Sequence, residues 1–148
     1  MMQNDKCYTI GYGGRTLDDL VKMLLDYNIT NLVDIRRYPH SIFEEFDKES
    51  LQETLPKNGI LYYHCEGVGG MRDTGYVEYM HTDEFAQSFS SLMDLITKTN
   101  LISQKIVLLC AEKNPKGCHR HYLSTKIEEN NVEVIHLVDS GQTNLFMY

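Results

Sequence analysis

The sequence predicts an α/β fold: one three-layer domain over residues 1–148, with a mostly parallel central sheet of about five strands and helices on both faces. Three observations lead there. Short apolar runs alternate along the chain with segments of helical periodicity. One run, Lys105-Ile-Val-Leu-Leu-Cys110, is continuously apolar, the pattern of a strand buried on both faces of a parallel sheet. A length of 148 residues with 42% hydrophobic residues suits one ordinary domain with a sizeable core.

The elements follow in order. Lys6-Cys-Tyr-Thr-Ile10 reads as a short strand that Gly11-Tyr-Gly-Gly14 breaks. Thr16 is the expected N-cap of a helix, with Asp18 and Asp19 in its first turn, and Leu17, Leu20, Val21, Leu24 and Leu25 share one face. Asn31-Leu-Val-Asp-Ile35 is the second strand. Lys48 to Leu55 is a short helix ended by Pro56 and Gly59, and Ile60-Leu-Tyr-Tyr-His64 is the third strand. Glu66 to Thr74 is a Gly-rich loop, and Gly75 to Met80 holds one helical turn. Asp83 to Thr97 is a longer helix whose Phe85, Phe89, Leu92, Met93 and Ile96 share a face. After the strand ending at Cys110, a helix runs from about Cys118 to Glu129 and turns Leu123 and Ile127 inward; Val132-Glu-Val-Ile-His-Leu137 is the last strand. No repeat, low-complexity segment or internal linker interrupts the pattern.

Charge and composition narrow the function. A net charge of −7 argues against general nucleic-acid binding through a basic surface. No apolar run approaches the roughly 20 residues needed to span a bilayer, so no membrane association is expected. The first residues lack the apolar core of a signal peptide, which points to a cytoplasmic protein. Cys7, Cys65, Cys110 and Cys118 are then expected to stay reduced. The expected partners are a small anionic ligand and, for assembly, a second copy of the chain in a homodimer; no cofactor is implied.

Open parallel sheets bind ligands beyond the carboxyl ends of their strands, which selects four loops. Gly11, Gly13 and Arg15, after the first strand, combine close backbone approach, a positive charge and a following helix N-terminus. Asp34, Arg36 and Arg37 follow the second strand; the arginines match carboxylate and phosphate oxygens, and Asp34 either orients Arg36 or accepts a proton. Glu66-Gly-Val-Gly-Gly-Met-Arg72 follows the third strand, as a flexible lid or an ordinary loop. The fourth loop carries Cys110, Glu112, Cys118, His119 and Arg120. A cysteine at a helix start near His and Arg feels positive potential that lowers its thiol pKa. Cys110, at the end of an apolar strand, has the alternative of a small buried residue, the commoner place for a free cysteine, and Cys118 that of an inert helix-start residue. The spacing Cys-x7-Cys-His-x-His lacks the paired ligands of structural zinc, and no metal is expected.

These motifs resemble Domain of Unknown Function 488. The matching pieces are Thr9-Ile-Gly-Tyr-Gly-Gly-Arg-Thr16, Leu32-Val-Asp-Ile-Arg-Arg-Tyr-Pro39, Gly67-Val-Gly-Gly70 and Cys110-Ala-Glu-Lys-Asn-Pro-Lys-Gly-Cys-His-Arg120, in the family's order across nearly the whole chain. One departure is Gly13-Gly14, where many relatives carry histidine or serine with asparagine. The resemblance implies a fold and a site, and no settled reaction. A fold-level likeness to rhodanese and phosphatase-like domains is weaker, because their spacing would put Lys116 where their arginine belongs.

The leading expectation is an enzyme acting on a small anionic substrate, nucleotide-like or phosphorylated. Arg36, Arg120 and His119 would bind it with Gly11, Gly13, Arg15 and Arg37; Glu112 or Asp34 would move protons; Cys118 or Cys110 would be the nucleophile. Arg120 is expected to face the same cavity as Asp34, Arg36 and Glu112. The alternatives are a non-catalytic anion-binding or sensing module and a metal-stabilised interaction domain.

Overall fold

The computed structural model describes residues 4–70, 72–112 and 119–138. All five expected strands are present: β1 (Asp5–Gly11), β2 (Asn31–Asp34), β3 (Leu61–His64), β4 (Ile106–Cys110) and β5 (Val132–His136). They form one sheet in the order β3-β2-β4-β1-β5, and every pairing is parallel. The helices are α1 (Leu17–Asp26), α2 (Lys48–Lys57), the single turn α3 (Tyr76–Tyr79), α4 (Asp83–Leu101) and α5 (Arg120–Glu128).

The alternation of side chains along β4 creates two cores. Ile106, Leu108 and Cys110 join Phe85, Phe89, Leu92 and Ile96 of α4 and Leu123 and Ile127 of α5. Val107 and Leu109 join Leu20 and Leu24 of α1 and Leu51 and Leu55 of α2 on the other face. β4 is therefore buried on both faces, as its continuous apolar run requires. Helices cover both faces of the sheet, and the inward Leu123 and Ile127 are as expected.

Three helix ends share one device. At the end of α2, Gly59 takes a φ of +77°, its amide bonds the Pro56 carbonyl and the Ile60 amide bonds the Leu55 carbonyl. Asn28 (φ 60°) closes α1 the same way, with bonds to Leu25 and from Ile29 to Leu24. Ser103 (φ 59°) closes α4, with bonds to Asn100 and from Gln104 to Thr99. This places the stop of α2 after Pro56, which lies inside the helix. A proline in the last turn removes a single backbone bond, so it does not end the helix by itself. α4 likewise runs on past Thr97 to its cap, and a 3-10 turn at Glu44–Phe46 precedes α2.

Candidate functional site

β2 ends in a closed ion pair. Arg36 Nε donates to Asp34 Oδ1 at 2.8 Å and Nη2 to Oδ2 at 2.7 Å, while the Arg36 amide donates to Oδ1 at 3.1 Å. Arg36 Nη2 also reaches the Phe46 carbonyl at 2.7 Å. The guanidinium lies 5.2 Å from the centroid of the Tyr12 ring, which stacks on Phe46 at 4.5 Å. Burial opposes the Arg36 charge. Asp34, with a smaller contribution from Tyr12, outweighs it and holds the guanidinium pKa above its ordinary value. Of the two roles open to Asp34, orienting Arg36 is the one its bonds make.

β3 supplies two residues that sequence reasoning missed. The Tyr62 hydroxyl donates to Asp34 Oδ2 at 2.6 Å, and His64 Nε2 lies 2.7 Å from the Arg36 carbonyl. A carbonyl only accepts, so Nε2 carries the proton in that bond. Burial and the Asp34 carboxylate push the Tyr62 phenol above its ordinary range, with Arg36 acting the other way. Asp34 thus accepts from four donors, which fills its carboxylate.

Arg120 belongs to a different cluster. Its Nη1 donates to Thr9 Oγ1 at 3.4 Å and its Nη2 to the Glu112 carbonyl at 2.7 Å, and the residue is 1% exposed. Thr9 Oγ1 also meets His136 Nδ1 at 2.5 Å. Burial, then the charges of Arg120 and His121, lower His136 to about 4, so it is neutral at neutral pH. By strand alternation Thr9 and His136 lie on the α4/α5 face with Cys7 and Val134, whereas Asp34 and Tyr62 lie on the α1/α2 face with Leu32. The structure therefore places Arg120 and Asp34 on opposite faces of the sheet. Glu112 offers Arg120 its backbone, and its residue is exposed.

The glycine loops are fastened. Tyr12 and Gly13 amides bond the Cys110 and Ala111 carbonyls, and Arg15 Nε bonds the Gly11 carbonyl at 2.8 Å. The start of α1 closes on itself: the Asp19 amide bonds Thr16 Oγ1 and the Thr16 amide bonds Asp19 Oδ2. With Asp18 and Asp19 in its first turn, that helix end is poorly suited to an anion. After β3, Gly67 to Gly70 are buried rather than arranged as an open lid. Arg72 bonds the Gly69 and Glu66 carbonyls and covers the Tyr79 ring at 3.9 Å, while Tyr76 and Tyr79 hydroxyls bond the Val68 and Gly67 carbonyls. Arg37 packs on the Tyr38 ring, 5.2 Å from its centroid.

His119 packs against the same loop. A Cβ on Gly70 would lie 2.6 Å from His119 Nδ1, and the Tyr76 ring is 5.2 Å away. Burial, then Arg120 and Arg72, lower His119 to about 4, and its buried Nε2 has no hydrogen-bond partner among the described residues. Cys110 is fully buried with Sγ 3.7 Å from the Glu112 carbonyl, the small-core-residue alternative. Cys118 lies outside the described residues, and α5 begins at Arg120, two residues after the helix start expected at about Cys118. Among the described residues, no group of three His, Cys, Asp or Glu side chains is placed to hold a metal ion.

All five arginines of the sequence sit beyond carboxyl ends of strands: Arg15 after β1, Arg36 and Arg37 after β2, Arg72 after β3 and Arg120 after β4. Arg36 and Arg120 are buried; Arg15, Arg37 and Arg72 are half-buried. The described lysines are spread over the helices and the amino edge.

In comparisons with known proteins, no curated protein and no solved structure matches the chain. The model of one family, Domain of unknown function DUF488, matches residues 16–127, and the chain belongs to that family.

Proposed function

We propose that the carboxyl edge of the sheet binds a small anionic substrate, nucleotide-like or phosphorylated, and that the chain acts on it as an enzyme. The arginine placement carries this reading. A chain of net charge −7 gathers every arginine at the edge where parallel sheets take ligands, and arginine is the side chain that matches oxyanions in a planar fork. Half-buried Arg37, Arg72 and Arg15 would meet the ligand, with Arg36 and Arg120 behind them. The buried His119 Nε2, unpaired among the described residues, supports a hydrogen-bonding role toward the ligand.

A second reading, binding without chemistry, has its own support. Asp34 is filled by four donors and Cys110 is buried, so neither is poised to react. Titration calorimetry with inorganic phosphate, pyrophosphate and adenosine nucleotides at low salt tests the shared part. We expect binding that weakens at least about tenfold in Arg37→Ala or Arg72→Ala, the loss of a charge-assisted hydrogen bond. Unchanged affinity in both variants contradicts the site. Turnover of a bound phosphoester that His119→Gln abolishes supports the enzyme; binding with no turnover favours the module.

A further inference from the structure

We propose that Tyr62 and His64 are positioning residues for Arg36: from the outer strand β3 they fix its side chain, through Asp34, and its main chain directly. The functional meaning of this placement rests on the anion reading above.

Tyr62 and His64 are two residues apart on a strand and therefore share a face. In the parallel register they stand beside Leu32 and Asp34 of β2. Leu61 and Tyr63, on the other face, are exposed, so β3 packs inward through Tyr62 and His64 alone. Both inward residues end in polar atoms, and both atoms bond the segment Asp34 to Arg36. Tyr62 fills the last acceptor position of Asp34 and stops the carboxylate from turning away from the guanidinium. His64 holds the Arg36 carbonyl, which sets the direction in which the side chain leaves the backbone.

The chain after β3 continues the hold. The Cys65 amide bonds the Asp34 carbonyl at 2.9 Å, and Gly69 approaches so closely that a Cβ there would lie 2.1 Å from the Ile35 carbonyl oxygen. Arg36, which these contacts fix, is 6% exposed, and its guanidinium keeps one buried nitrogen, Nη1, with no hydrogen-bond partner among the described residues. An unsatisfied buried donor is costly to a fold. Its being held from several directions fits a group kept ready for an acceptor that a ligand brings.

The test is guanidinium NMR of arginine-labelled protein, with Arg36 assigned through Arg36→Lys, alongside calorimetry with inorganic phosphate. In the wild type we expect separate Nη signals for Arg36, the mark of hindered rotation. Tyr62→Phe and His64→Ala should average those signals while keeping a cooperative thermal melt. They should also weaken phosphate binding about three- to tenfold, the effect of one hydrogen bond passed on through Arg36. His64→Gln keeps a donor at similar reach and should stay within about twofold of wild type. If His64→Ala does not fold, Tyr62→Phe and His64→Gln decide the matter. Separate Nη signals persisting in Tyr62→Phe and His64→Ala overturn the proposal. A wild type that takes no phosphate, with the signals behaving as expected, sinks the anion reading and leaves the positioning intact.

Discussion

Asp34 and Arg36, two residues apart at the end of β2, face each other as a two-pronged ion pair at 2.7 and 2.8 Å, with Asp34 fully buried. The short separation is what allows it. A residue at the strand end and the second residue beyond it project to the same side, so the carboxylate and the guanidinium meet without a turn between them. The Arg36 amide closes the loop on the same oxygen.

Breaking one side of this pair strands a buried charge. Asp34→Asn should cost about 3–5 kcal/mol in urea denaturation. Asp34→Leu combined with Arg36→Met should cost less than the sum of the two single changes, because no charge is left behind. A loss below about 1 kcal/mol for Asp34→Asn, the value of an exposed pair, would contradict the buried pairing.

Acid should weaken the fold through two histidines. His119 and His136 titrate near 4 in the folded chain, against 6.5 ordinarily. Between those values the unfolded chain binds protons that the folded chain refuses, so stability falls as pH drops through that window and is unaffected by these groups above it. Urea midpoints measured from pH 7.5 to 4.5 should show the decline, with a shallower slope in His136→Asn. A slope unchanged in both His136→Asn and His119→Gln would contradict the burial of these rings.

Ser103 holds a left-handed conformation at the end of α4 where α2 uses Gly59. A side chain there is strained, so Ser103→Gly should stabilise the protein by about 0.5–1 kcal/mol. Gly59→Ala should destabilise it by about 1–2 kcal/mol. Thermal melts decide both, and equal effects of one sign would contradict the shared helix-end geometry.

Gly69 is required by contact rather than by conformation. Its φ of −83° is open to any residue, yet a Cβ would press on the Ile35 carbonyl oxygen at 2.1 Å and the Arg37 amide at 3.0 Å. Gly69→Ala should therefore cost about 1–3 kcal/mol and loosen the loop against β2. Wild-type stability in that variant would show that the loop does not lie where described.

Much of the fold was legible in sequence because burial writes itself into periodicity. The run at β4 and the helical faces of α1 and α4 name their own partners. The site was less legible, for reasons that differ by residue. Tyr62 and His64 look like ordinary strand residues until β3 is seen to pair with β2, and strand order is a tertiary fact. Arg120 and Asp34 read as neighbours because both lie at the carboxyl ends of central strands; which face each occupies depends on which helix layer the alternating side chains of each strand meet, and that is a tertiary fact. Three glycines in Glu66 to Gly70 read as mobility, but Gly67 and Gly69 mark tight packing, against Ser88 and against the Ile35 carbonyl. The nearby Tyr76 and Tyr79, three residues apart, were the available signal, since both hydroxyls reach that loop.

The placement of the site is tested most directly by backbone-amide NMR during titration with inorganic phosphate. We expect saturable shifts concentrated in residues 11–16, 35–38 and 66–72, the loops at the carboxyl edge that carry Arg15, Arg36, Arg37 and Arg72. The amino edge, at Asp5, Asn31 and Lys105, should stay still. Shifts centred on that amino edge, or no saturable shifts at all, would contradict the anion site.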